Sequence, residues 1–198
     1  MNGRTCFEAI RYARRPGDDM QQRIASLGLG DAEPVTAVMT PGDHRIGVLL
    51  THRAAVQAAR DQGASSVLVL HQDVLFLDRA REVLGAAAAE LAGLSWTLCY
   101  LGGWWPVVPE PFSGCRHLDL ARNVGSVHAV AYHGRVFDRV LADWPSDHAG
   151  ATDWVAHFGA IDTYLAGFET AAIVRPVITT VPALLPFEAA AAQQHFTA

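Results

Sequence analysis

Three polar residues, His71, Gln72 and Asp73, follow directly on one of the most apolar segments of the chain. That segment, residues 65–70, is an unbroken β-rich run, which is typical of a central strand buried on both faces. In an open α/β sheet, ligands bind beyond the carboxyl ends of such strands. His71 and Asp73 could both reach one divalent cation, or a ribose and its phosphates. The pattern is also compatible with an Asp73 that caps the turn and a His71 on the surface.

The elements around this turn predict an α/β fold. We expect a helix over residues 51–63 with Thr51 as its cap, and another over residues 78–93 with Asp78 as its cap. A second buried strand is expected at residues 96–101, before Gly102 and Gly103. Strand, helix and strand in this order are typical of a three-layer α/β domain with a mostly parallel central sheet.

The rest of the chain predicts shorter elements and no internal repeat or linker, so we expect one domain over residues 1–198. Strands are predicted at residues 6–11, 35–39, 127–132 and 173–178, with Pro176 making the last one short or an edge strand. Helices are predicted at residues 18–27, 135–141 and 188–194, and one that Thr152 or Asp153 caps, with Trp154, Phe158, Ile161 and Leu165 inward. Residues 104–123 hold three prolines and two tryptophans, which predicts a long loop of functional importance.

Composition excludes several classes of protein. Of the 198 residues, 51% are hydrophobic and 18% are charged, as in a globular protein. The net charge of −5 argues against nucleic-acid binding, which needs a basic surface. No apolar run approaches the roughly 20 residues of a membrane span, and the start of the chain lacks the apolar stretch of a secretory signal. We therefore expect a cytoplasmic protein, with its three cysteines reduced.

Several short motifs, taken in order, resemble a known family. They are Gly47-Val-Leu-Leu-Thr-His52, Val67-Leu-Val-Leu-His-Gln-Asp73-Val74, Leu98-Cys-Tyr-Leu-Gly102 and a later strand that contains Ala129. This order is similar to that of the glycosyltransferases of bacterial lipopolysaccharide biosynthesis and the procollagen galactosyltransferases. The resemblance covers residues of about 45 to 180 and, more weakly, the first 30.

The resemblance implies a GT-A fold and transfer of a sugar from a nucleotide-diphosphate donor to a hydroxyl acceptor, in surface polysaccharide or natural-product glycosylation. In that family an acidic triplet holds a divalent metal on the donor pyrophosphate. Here the triplet aligns with His71-Gln72-Asp73, so only Asp73 keeps a carboxylate. A histidine ligand in place of an oxygen ligand would favour Mn²⁺ or a transition metal over Mg²⁺. Loss of metal dependence, or of activity, stays open.

The resemblance also implies roles for individual residues. Donor binding would involve Arg14, Arg15, His52, Gln72, Asp73, Gly102 and Gly103. Acceptor binding would involve Trp104 and Trp105, and the metal would be held by Asp73, His71 and a late histidine, His195. Asp162 lies where the family places an acidic residue near the acceptor, and it could take the acceptor proton, with Asp153 as a rival.

Each of these residues also has a structural explanation. His52 could stabilise a helix start and pack beside the central strand, and the glycines could admit a neighbouring strand. The tryptophans could pin their loop to the core, and Asp153 could be a helix cap.

Other functional classes find less support in the sequence. Gly28-Leu-Gly30 lacks the third glycine of a dinucleotide fingerprint. The common hydrolase and NTPase motifs do not occur. The remaining competitor is a noncatalytic GT-A-like protein that binds a nucleotide sugar or a partner protein.

Overall fold

The computed structural model describes residues 7–14, 19–38, 40–105 and 109–180. They form an eight-stranded sheet with helices on both faces, and a separate two-stranded ladder. The sheet contains β1 (Ala9–Arg14), β2 (Glu33–Thr36), β3 (Ser66–Leu70), β5 (Leu98–Tyr100), β6 (Glu110–Pro111), β7 (Leu118–Leu120), β8 (Ala129–His133) and β9 (Ala172–Val174). The ladder pairs β4 (Leu75–Phe76) with β10 (Thr179–Thr180).

Six α-helices connect the strands within the described ranges. They are α1 (Met20–Ser26), α2 (His44–Asp61), α3 (Ala80–Leu91), α4 (Phe137–Asp143), α5 (His148–Phe158) and α6 (Ile161–Leu165). A 3-10 turn, Gly134–Val136, leads into α4. None of these helices combines the length and the apolar character needed to cross a bilayer.

The sheet is mostly parallel, as the sequence predicts. Its strand order is β2-β1-β3-β8-β5-β9-β7-β6. β1 pairs in parallel with both β2 and β3, and β5 pairs in parallel with β9, whereas β8 and β7 run antiparallel to their neighbours. Six of the eight strands therefore point the same way, and β3 lies inside the sheet between β1 and β8.

β3 is buried on both faces because successive side chains of a strand point to opposite sides. Val67 and Val69 pack into the cluster that contains the buried residues of α2, α4, α5 and α6. Leu68 and Leu70 pack into the opposite cluster, with the buried residues of α1 and α3. The absence of polar alternation in this segment thus reflects two apolar layers, and the predicted three-layer arrangement is confirmed.

Helix α2 begins earlier than predicted. Thr51 does not cap it, because the helix starts at His44 and Asp43 is the cap residue, whose carboxylate accepts the Arg45 backbone N–H at 3.0 Å. Gly47, a residue that weakens helices, lies inside the first half of α2. A Cβ at this position would overlap the carbonyl oxygen of Val38, so close contact with the preceding segment requires glycine there.

The helices α3 and α5 also differ from the prediction at their ends. Arg79, and not Asp78, precedes the first residue of α3. Asp147, and not Thr152 or Asp153, caps α5, by accepting the Gly150 N–H at 2.9 Å. The predicted helix is also divided in two. Gly159, with φ of 85°, ends α5, so Ile161 and Leu165 belong to α6.

The segment over residues 104–123 is not only a loop. Its short strands β6 and β7 pair with each other, and β7 pairs with β9, which extends the sheet. β9 has only three residues, in line with the effect expected of Pro176, but it lies between β5 and β7 and not at an edge. The helical piece predicted at residues 188–194 lies outside the described residues.

Candidate functional site

A cavity of about 420 Å³, called the main cavity below, lies where β3 ends. Its lining comprises His44, Arg45, Val48, His71, Asp73, Ser126, Val127, His128, Ala160, Ile161 and Asp162. β8 runs antiparallel to β3 and pairs Ala129 with Leu70, so the residues just before β8 lie beside the residues just after β3. The main cavity therefore occupies the position at which open α/β sheets bind ligands.

A smaller cavity of about 140 Å³, the side cavity, adjoins the main one and shares His44, Val48 and His71 with it. It extends to Ala13 near the end of β1 and to Gln72 after β3. The Gln72 Oε1 atom is shielded from solvent and has no hydrogen-bond partner among the described residues.

Asp162 lies in the first turn of α6, and both of its carboxylate oxygens accept backbone hydrogen bonds. Oδ1 accepts the Thr163 N–H at 2.9 Å, and Oδ2 accepts the Ser126 N–H at 3.1 Å. These bonds hold the carboxylate at the wall of the main cavity, which also contains His71 and Asp73. The tertiary structure thus brings the predicted base and two residues of the predicted triplet to one cavity.

His71 and Asp73 are close to each other but do not form a complete metal site. The Asp73 backbone N–H donates to His71 Nδ1 at 3.2 Å, and Asp73 Oδ2 lies 3.7 Å from the same nitrogen. Nδ1 is thus already an acceptor, which leaves its lone pair engaged. Across the described ranges, no three side chains of His, Cys, Asp or Glu come together as a metal site. The third predicted ligand, His195, lies outside the described residues, so the metal site formed by His71, Asp73 and His195 stays a prediction.

A hydrogen-bonded row of three side chains begins at the wall of the main cavity, which Ser126 and His128 line, and ends at Thr179. Ser126 Oγ lies 2.7 Å from His128 Nδ1, and His128 Nε2 lies 3.1 Å from Thr179 Oγ1. Burial lowers the pKa of His128 to about 4, so this imidazole is neutral near pH 7. The sequence shows His128 beside a strand, but no local pattern links it to Ser126 or to Thr179, which lies on the distant β10.

The start of α2 contributes side chains to the main cavity that sequence patterns did not indicate. His44 and Arg45 both line the main cavity. The Arg45 guanidinium donates to the Asp43 carboxylate and, at 3.1 Å, to the Gly159 carbonyl oxygen. The hydrogen bond from Arg45 lowers the pKa of Asp43 to about 2. The guanidinium thus ties the start of α2 to the segment that leads into α6, on which Asp162 lies.

His52 lies in the middle of α2 and not at its start, which corrects the expected position. It is 3% exposed, and its Nδ1 atom lies 2.8 Å from the Tyr132 hydroxyl oxygen. Burial lowers the pKa of His52 to about 3. The residue lines the deep end of the side cavity beside Thr51 and packs close to the central strand, as the structural explanation for it proposed.

Gly102 and Gly103 lie against protein atoms. A Cβ on Gly102 would overlap the Thr179 carbonyl oxygen, and one on Gly103 would lie 2.7 Å from Val124 Cγ1. Gly103 also has a φ of 152°, which L-residues rarely adopt. Neither glycine lines the main cavity or the side cavity.

The two tryptophans differ in their surroundings. Trp104 is 48% exposed, its backbone pairs with that of Gly125, and its indole covers Gly125, where a Cβ would overlap the ring. Trp105 packs against the core cluster on the α2 side of the sheet. Gly125 precedes Ser126, which lines the main cavity, but neither Trp104 nor Trp105 is in the lining of the main cavity or the side cavity.

The remaining predicted residues lie elsewhere. Asp153 is exposed on α5 and lines neither cavity. Arg14 is the last residue of β1, at the ligand-binding end of the sheet, and only its backbone is described. Arg15 and His195 lie outside the described residues.

No protein-family model matches the chain, and no curated protein matches it. Three solved structures share a limited likeness. One is a glycosyltransferase involved in the glycosylation of the major capsid of PBCV-1, with a TM-score of 0.45, 10% identity and coverage of 69% of this chain and 64% of that one. Another is a mannose-1-phosphate geranyltransferase from Thermus thermophilus, with a TM-score of 0.44, 15% identity and coverage of 83% and 58%.

The third is a CMP:2-keto-3-deoxy-manno-octonic acid synthetase complexed with CTP, with a TM-score of 0.39, 14% identity and coverage of 94% and 98%. This chain therefore spans less than two thirds of the first two proteins. With TM-scores below 0.5 and identities below 25%, these likenesses say nothing about what this chain binds or catalyses.

Proposed function

We propose that this protein is a glycosyltransferase that moves a sugar from a nucleotide-diphosphate donor to a hydroxyl acceptor. The acceptor would belong to a surface polysaccharide or a natural product, as the motif resemblance implies. The observation that carries the proposal is the meeting of Asp162 with His71 and Asp73 in the main cavity, at the carboxyl end of a buried parallel strand. If these three side chains did not line one cavity, the predicted base Asp162 would lie far from the predicted donor-binding residues.

The two cavities divide the proposed substrate between them. The side cavity, which Gln72 lines, would take the base of the nucleoside, and the main cavity would take the ribose, the diphosphate and the sugar. The Arg45 guanidinium and the partial positive charge of the α2 N-terminus would lie near the leaving diphosphate, and the His44 side chain would line the same wall. This arrangement would stabilise negative charge as it develops on the leaving group.

Asp162 is the proposed general base. Its carboxylate would accept the proton of the acceptor hydroxyl while that oxygen forms a bond to the anomeric carbon of the donor sugar. The bond between the anomeric carbon and the diphosphate oxygen breaks, and the diphosphate leaves with the electron pair. The exposed Trp104 indole, near the cavity wall, would offer a flat apolar surface to the acceptor.

One observation favours a second candidate, a protein that binds a nucleotide sugar without turnover. His71 Nδ1 accepts the Asp73 N–H, so the triplet retains only one carboxylate and a histidine nitrogen that is already engaged. A cavity built in this way can bind a diphosphate through hydrogen bonds and charge while lacking the means to stabilise its departure.

The test is calorimetric titration of the full chain with a panel of nucleotide-diphosphate sugars, each with Mn²⁺, with Mg²⁺ and with EDTA, followed by an assay for release of the nucleoside diphosphate. Wild-type protein should bind one donor class and release its nucleoside diphosphate. Asp162→Asn should bind that donor but release little product, whereas the matched control Asp153→Asn should behave as wild type. Binding without release by the wild-type protein would support the second candidate, and absence of binding across the panel would overturn both.

A further inference from the structure

Ser126 has a backbone conformation that an L-residue adopts only at a cost. Its φ is 80°, in the left-handed region, although it has a Cβ and follows a glycine. Left-handed conformations are unfavourable for a non-glycine residue because they bring its Cβ close to the following carbonyl oxygen. Such strain persists only where the surrounding structure holds it, and it is frequent at functional sites.

The hydrogen-bonded row of Ser126, His128 and Thr179 holds the Ser126 backbone in this conformation. Ser126 Oγ bonds to His128 Nδ1, and His128 Nε2 bonds to Thr179 Oγ1. His128 is 4% exposed and Thr179 is fully buried. The His128 carbonyl oxygen also accepts the His71 backbone N–H at 2.7 Å, which fixes this segment to the end of β3. The Ser126 side chain is thus anchored to the buried residue that precedes β8 and, through it, to the buried Thr179 of β10.

The held conformation directs the Ser126 N–H to Asp162 Oδ2, at 3.1 Å. Thr163, the other donor to this carboxylate, is adjacent in sequence and holds Oδ1 from within α6. Among the described residues, Ser126 is therefore the donor that connects the Asp162 carboxylate to the segment leading into β8. Rotation of Ser126 to an ordinary φ would move that N–H away and free one carboxylate oxygen.

We propose that Ser126 is a positioning residue, whose strained backbone, held by His128 and Thr179, orients the Asp162 carboxylate toward the reacting hydroxyl. The inference rests on the proposed function for the role of Asp162, but the backbone relationship itself can be measured without any substrate. A direct nucleophilic role for Ser126 is disfavoured, because burial lowers the pKa of His128 to about 4 and makes it a weak proton acceptor.

The experiment compares Ser126→Ala with Ser126→Gly by following backbone amide shifts in ¹H–¹⁵N spectra as a function of pH. In wild-type protein, the amide chemical shifts of residues 126 and 163 should change over the same pH range, because both N–H groups donate to the Asp162 carboxylate. Alanine removes the hydroxyl and keeps the strain, so the amide of residue 126 should lose most of its pH-dependent shift. Glycine adopts a positive φ freely, so Ser126→Gly should retain that shift. The amide of residue 163 should titrate in both variants.

Asp162→Asn identifies the source of the titration. His44, Arg45, His71, Asp73 and His128 line the same cavity, and the buried Tyr100 lies close enough to interact electrostatically with Asp162. A pH-dependent shift that survives in Asp162→Asn belongs to one of those groups and would overturn the inference. So would a Ser126→Ala amide that titrates as in wild type.

Activity then distinguishes failure of this inference from failure of the proposed function. If a donor is found, Ser126→Ala should lower the kcat for product release about 10-fold or more and leave KM nearly unchanged. Ser126→Gly should restore kcat. Equal loss in both variants would mean that the hydroxyl itself contacts substrate, which overturns the positioning role. If no donor is turned over, the proposed function fails, while the amide titration still decides whether Ser126 holds Asp162.

Discussion

The Nδ1 atom of His52 lies 2.8 Å from the hydroxyl oxygen of Tyr132, a bond that joins the middle of α2 to β8 inside the core. Both residues are nearly or completely buried, at 3% and 0% exposure. Burial lowers the pKa of His52 and raises that of Tyr132, because both charged forms lose their hydration. The pair is therefore neutral over the physiological pH range and links the side cavity to the sheet.

Protein stability should fall as the pH drops below about 6.5. The pKa values of His52 and His128 are lowered to about 3 and about 4 in the folded protein, against about 6.5 in an unfolded chain. Between these values the unfolded chain binds protons that the folded chain does not. Each histidine should then remove up to about 1.4 kcal/mol of stability per pH unit. Urea unfolding at several pH values measures this slope.

His52→Gln should reduce the dependence of the unfolding free energy on pH by the contribution of one histidine. Glutamine can still pair with the Tyr132 hydroxyl, but it does not titrate. His157→Gln, at an exposed position on α5, is the matched control and should keep the wild-type slope. A slope that is the same in His52→Gln and in wild type would contradict the assignment of His52 as a buried neutral group.

Gly102→Ala should destabilise the protein by about 1–3 kcal/mol or more, because the added Cβ overlaps the backbone of Thr179 and not a flexible side chain. Gly30→Ala is the matched control, since no atom lies within 4 Å of a Cβ placed there. Chemical denaturation of both variants provides the measurement. An unaffected Gly102→Ala that instead loses donor binding would show that this glycine serves the ligand.

Asp73→Asn should weaken donor binding steeply while changing the free energy of unfolding by no more than about ±0.5 kcal/mol. The side chain is 36% exposed at the main cavity, so the loss of its charge has little effect on the core. Calorimetric titration with the donor identified in the panel, and urea unfolding, measure the two effects. If Asp73→Asn unfolds the protein and leaves donor affinity intact, Asp73 is only a structural turn residue.

Asp162→Asn should lower product release by about 10²–10⁴-fold, the usual contribution of a positioned general base. The amide can accept only one of the two backbone N–H groups that the carboxylate accepts, so stability should also fall, by about 1–3 kcal/mol. Steady-state kinetics and unfolding are measured on the same preparation. Full activity in this variant would exclude Asp162 as the base.

Trp104→Ala should weaken acceptor binding with little loss of stability, because nearly half of the side chain is exposed. Trp105→Ala should do the reverse, since that indole packs against the core. Comparing the acceptor KM and the unfolding free energy of the two variants checks the assignment. Equal acceptor KM values for Trp104→Ala and wild type would remove Trp104 from the acceptor site.

Local patterns predicted the central elements well. β3 was predicted from an apolar run without alternation, because a strand covered on both faces needs apolar side chains in both directions. The ends of elements were less predictable. The start of α2 was missed because Gly47 interrupts the local helix pattern, and its presence is explained only by the Val38 carbonyl that packs against it. The division between α5 and α6 depends on Gly159, which adopts a positive φ.

By itself, the sequence determined that polar residues 71–73 follow a strand buried on both faces, at the end of the sheet where α/β folds bind ligands. Only the tertiary structure decided which distant residues meet them. The Ser126 N–H holds the Asp162 carboxylate at the wall of the main cavity. Ser126 is held in turn by His128, which bonds to Thr179. These contacts depend on β8 lying antiparallel between β3 and β5. Strand order follows from packing of the whole chain, and no local periodicity encodes it.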